Sequence, residues 1–206
     1  MTITERVNRV RVPELVNTDD RQRIFRSCLT ALAEPGRVVA LADRVAVEDG
    51  MTGLPAPAAP ILVLGDPTTP IAAFPDDPDA VRDVERLAAI THAPTVPVHR
   101  ARYALAYDLV APASLRALCR GSHLRPHDAA MLVQGVASLT HGRPWRLSGP
   151  GIAGTRLVSL AGPDEEFFAA RAEVVAGFPT GVDILLCDPA GRLVGLPRTT
   201  RIEAVR

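Results

Sequence analysis

The stretch FPTGVDILLCDPAGRLVGLPRTTRI, Phe178 to Ile202, decides the fold. Val182 to Cys187 is a short apolar run bounded by turn residues, which predicts a strand. Asp188-Pro189-Ala190-Gly191 has proline and glycine where a type I turn tolerates them. Arg192 to Ile202 is then expected to return as one second strand, closing a β-hairpin.

Working outward, Pro163 to Gly177 predicts an amphipathic helix with an acidic start, carrying Phe167, Phe168, Val174 and Val175. Arg156 to Leu160 predicts a strand, and Arg146 to Ile152 a Gly/Pro turn before it. Ala129 to Leu139 (AAMLVQGVASL) predicts one central strand, too apolar at its start for an exposed face. Tyr103 to Val110 and Ile71 to Phe74 read as strands. Asp79 opens a helix to Ile90, and Pro112 to Leu118 is a shorter one. Ile61 to Asp66 is a short buried element whose type periodicity leaves open. Gly121 to Asp128 reads as a loop.

Nearer the start, Thr18-Asp19-Asp20 signals a helix start, and Ile24, Phe25, Cys28, Leu29 and Leu32 form one apolar stripe. Pro35-Gly36 stops that helix. Arg37 to Leu41 has strand propensity, Asp49-Gly50 a turn signal, and residues 1–17 are a polar lead. Helices and strands intermix throughout, so the expectation is a single α/β domain over residues 1–206, with a mixed sheet flanked by helices.

Composition narrows function. The 206 residues carry 23 basic and 23 acidic side chains, a formal net charge of zero. Such a surface does not reward nucleic acid or an anionic membrane. Every basic residue is Arg. A Schiff base, a P-loop and a kinase ATP site all need Lys, so none of them is built here. No apolar run approaches the roughly 18 residues of a membrane span, and the first residues lack a signal-peptide core. Cys28, Cys119 and Cys187 are scattered and in no CxxC, as expected of core thiols in a reducing cytoplasm.

The chemical motifs sort as follows. Gly149, Gly151 and Gly154 spell GxGxxG, but a strand-like run follows where the dinucleotide fingerprint needs a helix, so a strand-linking turn is expected. His123 and His127 have metal spacing only on a helix, which Pro126 opposes. Ser122, His123 and Asp128 lie together only because the loop is polar. Asp76-Asp77 and Glu165-Glu166 are adjacent acids of a loop and a helix start. No metal ligands or catalytic set are expected. The PRTTR segment, Pro197 to Arg201, packs two guanidinium forks and two hydroxyls into five residues. Arg forks bind phosphate bidentately. On a strand, Arg198 and Thr200 would face one way and Thr199 and Arg201 the other. Either anion contact or an edge or interface strand fits. Asp183 is placed to cap or pair with an arginine of the return strand.

Two segments carry a family resemblance. FRSCLTALAEPGRVVAL, Phe25 to Leu41, resembles the F-R-x-x-L-x-A-M-x-x-P-G opening of the PhnH subunits of bacterial carbon–phosphorus lyase. The Phe178–Ile202 tail resembles their F-P-x-G-V-D … L-P-R-T-T-R ending, and SGPGI, Ser148 to Ile152, recurs there as well. Leu32 stands where the family often has Met, and the loop GSHLRPHDAAM departs at His127 and Asp128. The resemblance implies a fold like that of the pyridoxal-phosphate-dependent transferases without the cofactor. It implies an accessory subunit in a core complex with subunits of the G, I and J types, and a homodimer when isolated. The assembly, with an L subunit, is implied to make ribose 1-alkylphosphonate 5-triphosphate from a nucleoside triphosphate and an alkylphosphonate. Radical bond cleavage then falls to the J subunit's iron–sulfur cluster, which three scattered cysteines could not ligate here.

The expected key residues are Arg198, Thr199, Thr200 and Arg201, as phosphate-binding or interface groups, with Gly181 and Asp183 fixing the hairpin. The alternative is a stand-alone transferase or hydrolase acting on a phosphorylated sugar or nucleotide, using those arginines with His123 or His127.

Overall fold

The computed structural model describes residues 11–12, 17–41 and 54–205. The Asp49-Gly50 turn and most of the polar lead lie outside them. A mixed six-stranded sheet is the centre of the molecule. Its order is β2 (Val39–Ala40), β10 (Arg192–Leu196), β9 (Asp183–Cys187), β6 (Met131–Gly135), β5 (Tyr103–Ala106) and β4 (Ile71–Ala73). The four from β9 to β4 run parallel; β10 pairs antiparallel with β9 and β2 antiparallel with β10, so β10 alone runs against the other five. β1 (Arg11–Val12) pairs with β3 (Leu54–Pro55) apart from this sheet.

The apolar runs are explained by burial on both sides. Along β9, Leu185 and Cys187 enter one core cluster, while Ile184 and Leu186 enter the other. β10 splits in the same way, Leu193 to one side and Val194 and Leu196 to the other. A strand buried on both faces loses the alternation of a half-exposed one.

On the first face lie α1 (Thr18–Ala33), α2 (Ala59–Leu64) and α3 (Pro78–Thr91). α2 resolves the ambiguity at Ile61 in favour of helix. Asn17 caps α1 by accepting from the Asp20 amide at 2.8 Å. Arg156 donates to the Glu34 and Pro35 carbonyls just past its last turn. Of the predicted stripe, Ile24 and Cys28 are buried, joined by Ala31, whereas Phe25 and Leu29 are 41% and 50% exposed. The reason is close approach: α1 lies on β10 at Gly195, where a Cβ would come within 2.2 Å of the Ala31 carbonyl oxygen. Contact that tight narrows the buried face.

The second face carries α4 (Pro112–Arg116), α5 (Glu165–Val175) and a separate antiparallel sheet. That sheet has the order β11 (Arg201–Ala204), β7 (Ser138–Ser148) and β8 (Thr155–Ala161). It overturns three expectations. Ala129 to Leu139 is not one strand; β6 ends at Gly135, the Val136 amide bonds back to Cys187, and Ala137 turns to Ala161 in the other sheet. The turn expected from Arg146 begins only after Ser148, because β7 keeps pairing with β8 up to that residue. Arg192 to Ile202 is also two strands. The chain leaves the large sheet at Leu196, turns through Pro197–Thr200 with the Thr200 amide on the Pro197 carbonyl at 2.8 Å, and enters the small sheet at Arg201 opposite Ser148. Trp145 of β7 meets Phe168 of α5 edge-on at 4.4 Å and seals the space between the layers.

Candidate functional site

The PRTTR segment is the corner where the chain crosses between the two sheets. Its Arg198 is held on several sides. Asp183, at the start of β9, accepts from the Arg198 amide at 2.7 Å and from Nη2 at 2.6 Å, with Nε at 3.2 Å from Oδ1. Nη1 donates to the Pro126 and Pro179 carbonyls at 3.1 and 3.0 Å. One side chain therefore binds the corner, the loop at 121–128 and the loop before β9. Gly181 lies against it. Its φ of 144° suits glycine, and a Cβ there would be 3.3 Å from both Arg198 Cβ and Val175 Cα. Its amide donates to the Arg120 carbonyl.

Because Pro197–Thr200 is a turn, the expected two-faced alternation of Arg198, Thr199, Thr200 and Arg201 does not hold. Arg198 points inward to Asp183, and Thr200 is buried at 2% exposure. Thr199 and Arg201 are exposed. Among the described residues, no acid pairs with Arg201.

Arg171 was missed. It sits on α5 at 3% exposure and donates to the carbonyls of Thr200 at 3.0 Å and Pro197 at 2.6 Å. Burial pushes its guanidinium down to about 10, against the pull of the Asp183 charge. A signal was present: Arg171 stands three and four residues from Phe168, Phe167 and Val174, all on the helix's buried face. A cavity of about 320 Å³ lies between α5 and the corner, lined by Arg171, Arg198, Thr199, Thr200 and Arg201 with apolar walls.

The other candidates resolve separately. His123 and His127 are exposed on the 121–128 loop, His127 near Asp128 at 3.7 Å. Gly149, Gly151 and Gly154 lie in the turn joining β7 to β8, not at a helix start. Cys28 and Cys187 are buried; burial pushes the Cys28 thiol up to about 12 and Cys187 well above its ordinary value. Cys119 is half-buried. Asp77 caps α3 through the Ala80 amide and also accepts the Tyr107 amide at 2.6 Å. The nearby cavity of about 30 Å³, lined by Asp76, Asp77 and Asp108, has room for little more than a water. Glu165 and Glu166 occupy the first turn of α5, after the Asp164 cap.

The fold and this corner define a class: a single-domain α/β protein whose most chemical segment is built into a junction rather than presented in an open cleft. Residues 16–203 match the family of bacterial phosphonate metabolism proteins called PhnH. A relative from Stutzerimonas stutzeri, described as "Putative C-P lyase subunit protein HtxG", is 32% identical over 186 residues, 89% of this chain and 86% of that protein. The chain belongs to the PhnH family.

Proposed function

We propose that the protein is an accessory subunit of a carbon–phosphorus lyase assembly, serving phosphonate catabolism. The observation that carries this is the state of Arg198. Its guanidinium is occupied by Asp183 and two carbonyls, so this arginine of the family-like tail shapes a surface rather than standing free for catalysis. The two loops that Arg198 ties down expose Leu124 at 94% and Phe178 at 66%. Large apolar groups held out on fixed loops suit a protein interface. The partners are subunits of the G, I and J types, and the free protein is a homodimer. The supported reaction is formation of ribose 1-alkylphosphonate 5-triphosphate. The proposed likeness to the pyridoxal-phosphate-dependent transferase fold, without that cofactor, rests on the four parallel strands with helices packed against them; among all 206 residues there is no Lys to anchor pyridoxal phosphate. The setting is cytoplasmic, which three free thiols support.

The test is co-purification. The tagged protein, from cells growing on methylphosphonate as sole phosphorus source, is expected to bring down the other core subunits in stoichiometric amounts. Recovery of the protein alone, while those subunits are expressed, overturns the reading. Arg198→Ala is expected to weaken both assembly and growth on methylphosphonate.

A further inference from the structure

We propose that the cavity between α5 and the Pro197–Thr200 turn binds a tetrahedral phosphorus oxyanion, a phosphonate or a phosphate group, through Arg201 at its mouth and the buried charge of Arg171 behind it.

Three observations converge on an anion. First, charge is unbalanced there. Arg171, Arg198 and Arg201 all line the cavity and no carboxylate does. Asp183, the one acid whose charge acts on Arg171, is engaged by Arg198. Among the described residues Arg171 has only carbonyl partners, so a buried cation lacks a counter-ion of its own. Buried charges are ordinarily paired, and an oxyanion in this cavity would supply the missing charge.

Second, hydrogen bonding is incomplete. Arg171 Nε and the Thr200 hydroxyl are both buried without a partner. Each belongs to a side chain at least nine-tenths buried that lines the cavity. Such unpartnered buried groups are rare; both atoms are closed to solvent, so an anion in the cavity reaches them only when Arg171 or Thr200 shifts. Third, the mouth is open and equipped. Arg201 and the Thr199 hydroxyl are exposed, and a guanidinium beside a hydroxyl suits a phosphorus oxyanion.

Size and competing charge agree. A volume of about 320 Å³ lies at the small end of ligand pockets and is enough for a phosphonate or a phosphate ester. The last turn of α5 also borders the cavity, and its partial charge of about −0.5 is outweighed by the guanidinium charges. Phe168, Val175 and Ile202 form the apolar wall, where a short alkyl group would rest.

The choice of phosphorus rests on the phosphonate-metabolism reading; the demand for an anion does not. Every wall comes from this chain, so the purified full-length protein is the sample. Isothermal titration calorimetry is run with methylphosphonate and with inorganic phosphate, at matched ionic strength in chloride. Saturable binding of either anion is expected, and preference between them tells which source the site serves. Arg201→Ala, an exposed position that leaves the core intact, is expected to weaken affinity about tenfold or more, and Arg201→Lys to recover part of it. Absence of saturable binding for both anions, or binding by Arg201→Ala as tight as by the unaltered chain, overturns the proposal. If the anions fail and Arg201→Ala instead loses co-purifying subunits, the proposal is equally overturned and the cavity receives a carboxylate of a partner protein. Failure of the titration leaves the accessory-subunit reading standing, because co-purification decides that separately.

Discussion

At the residue scale the decisive contacts concern arginines. Arg198 and Asp183 are both largely covered; removing either leaves the other's charge unpaired, and removing Arg198 also takes its donor from the Pro126 and Pro179 carbonyls. Asp183→Ala is expected to cost about 3 kcal/mol, roughly a 6–12 °C fall in Tm for a chain of this size, measured by thermal unfolding. A loss under about 1 kcal/mol would place the pair among surface bridges of little worth. Thr200 behaves oppositely. Its hydroxyl has no partner, so Thr200→Val, similar in shape, is expected to hold or raise the Tm of the unliganded protein. The thiols also separate. Burial disfavours the thiolate at Cys28 and Cys187, so native protein at pH 8 is expected to react with a thiol reagent first at half-buried Cys119. All three react after denaturation.

At the scale of elements, α1 and α3 give distinct tests. Gly195→Ala would drive a methyl group to 2.2 Å from the Ala31 carbonyl, so α1 must lift from β10. The expected result is a Tm fall above 10 °C or loss of soluble protein, by several kcal/mol of overpacking. Gly154→Ala has nothing within 4 Å and is expected to cost only about 1–2 kcal/mol for its left-handed backbone. At the start of α3 the acids crowd one another. Partial burial first, then Asp77, Asp79 and Asp76, hold the Asp108 carboxyl above its usual value. A carboxyl raised in the folded state favours folding below its unfolded value, and that contribution is lost as pH rises through the folded one. Asp108→Asn is therefore expected to be as stable as the unaltered chain or more so at pH 7, with the difference shrinking as pH falls through the carboxylate range. A constant difference across that range would refute the crowding account.

At the scale of the whole molecule, local patterns were legible and their assembly was not. The helix start at Thr18, the stop at Pro35-Gly36 and the β9–β10 hairpin follow from caps, turn residues and apolar runs within a few positions of each other. The three-stranded sheet was missed because β7 is polar at most of its outward positions and only Val136 and Ala137 separate it from β6. A single apolar run covered both. The PRTTR segment could be recognised as chemically pointed, yet its shape as a corner depends on Asp183 and on the Pro179 and Pro126 carbonyls, 19 and 72 positions before Arg198. Arg171 stood in plain view on an apolar stripe, and its significance is visible only once the Thr200 and Pro197 carbonyls come to it.

The sequence by itself determined an α/β domain without Lys chemistry, a balanced charge, and a family-like opening and tail. Those are properties of composition and of short-range patterning, which need no partner from elsewhere in the chain. Only the tertiary structure decided that the tail crosses between two sheets, that Arg198 is bound inside and Arg201 left outside, and that a lone buried cation faces a cavity. Each of these depends on groups distant in sequence meeting in space, where desolvation and hydrogen-bond geometry, rather than local propensity, settle which contacts form.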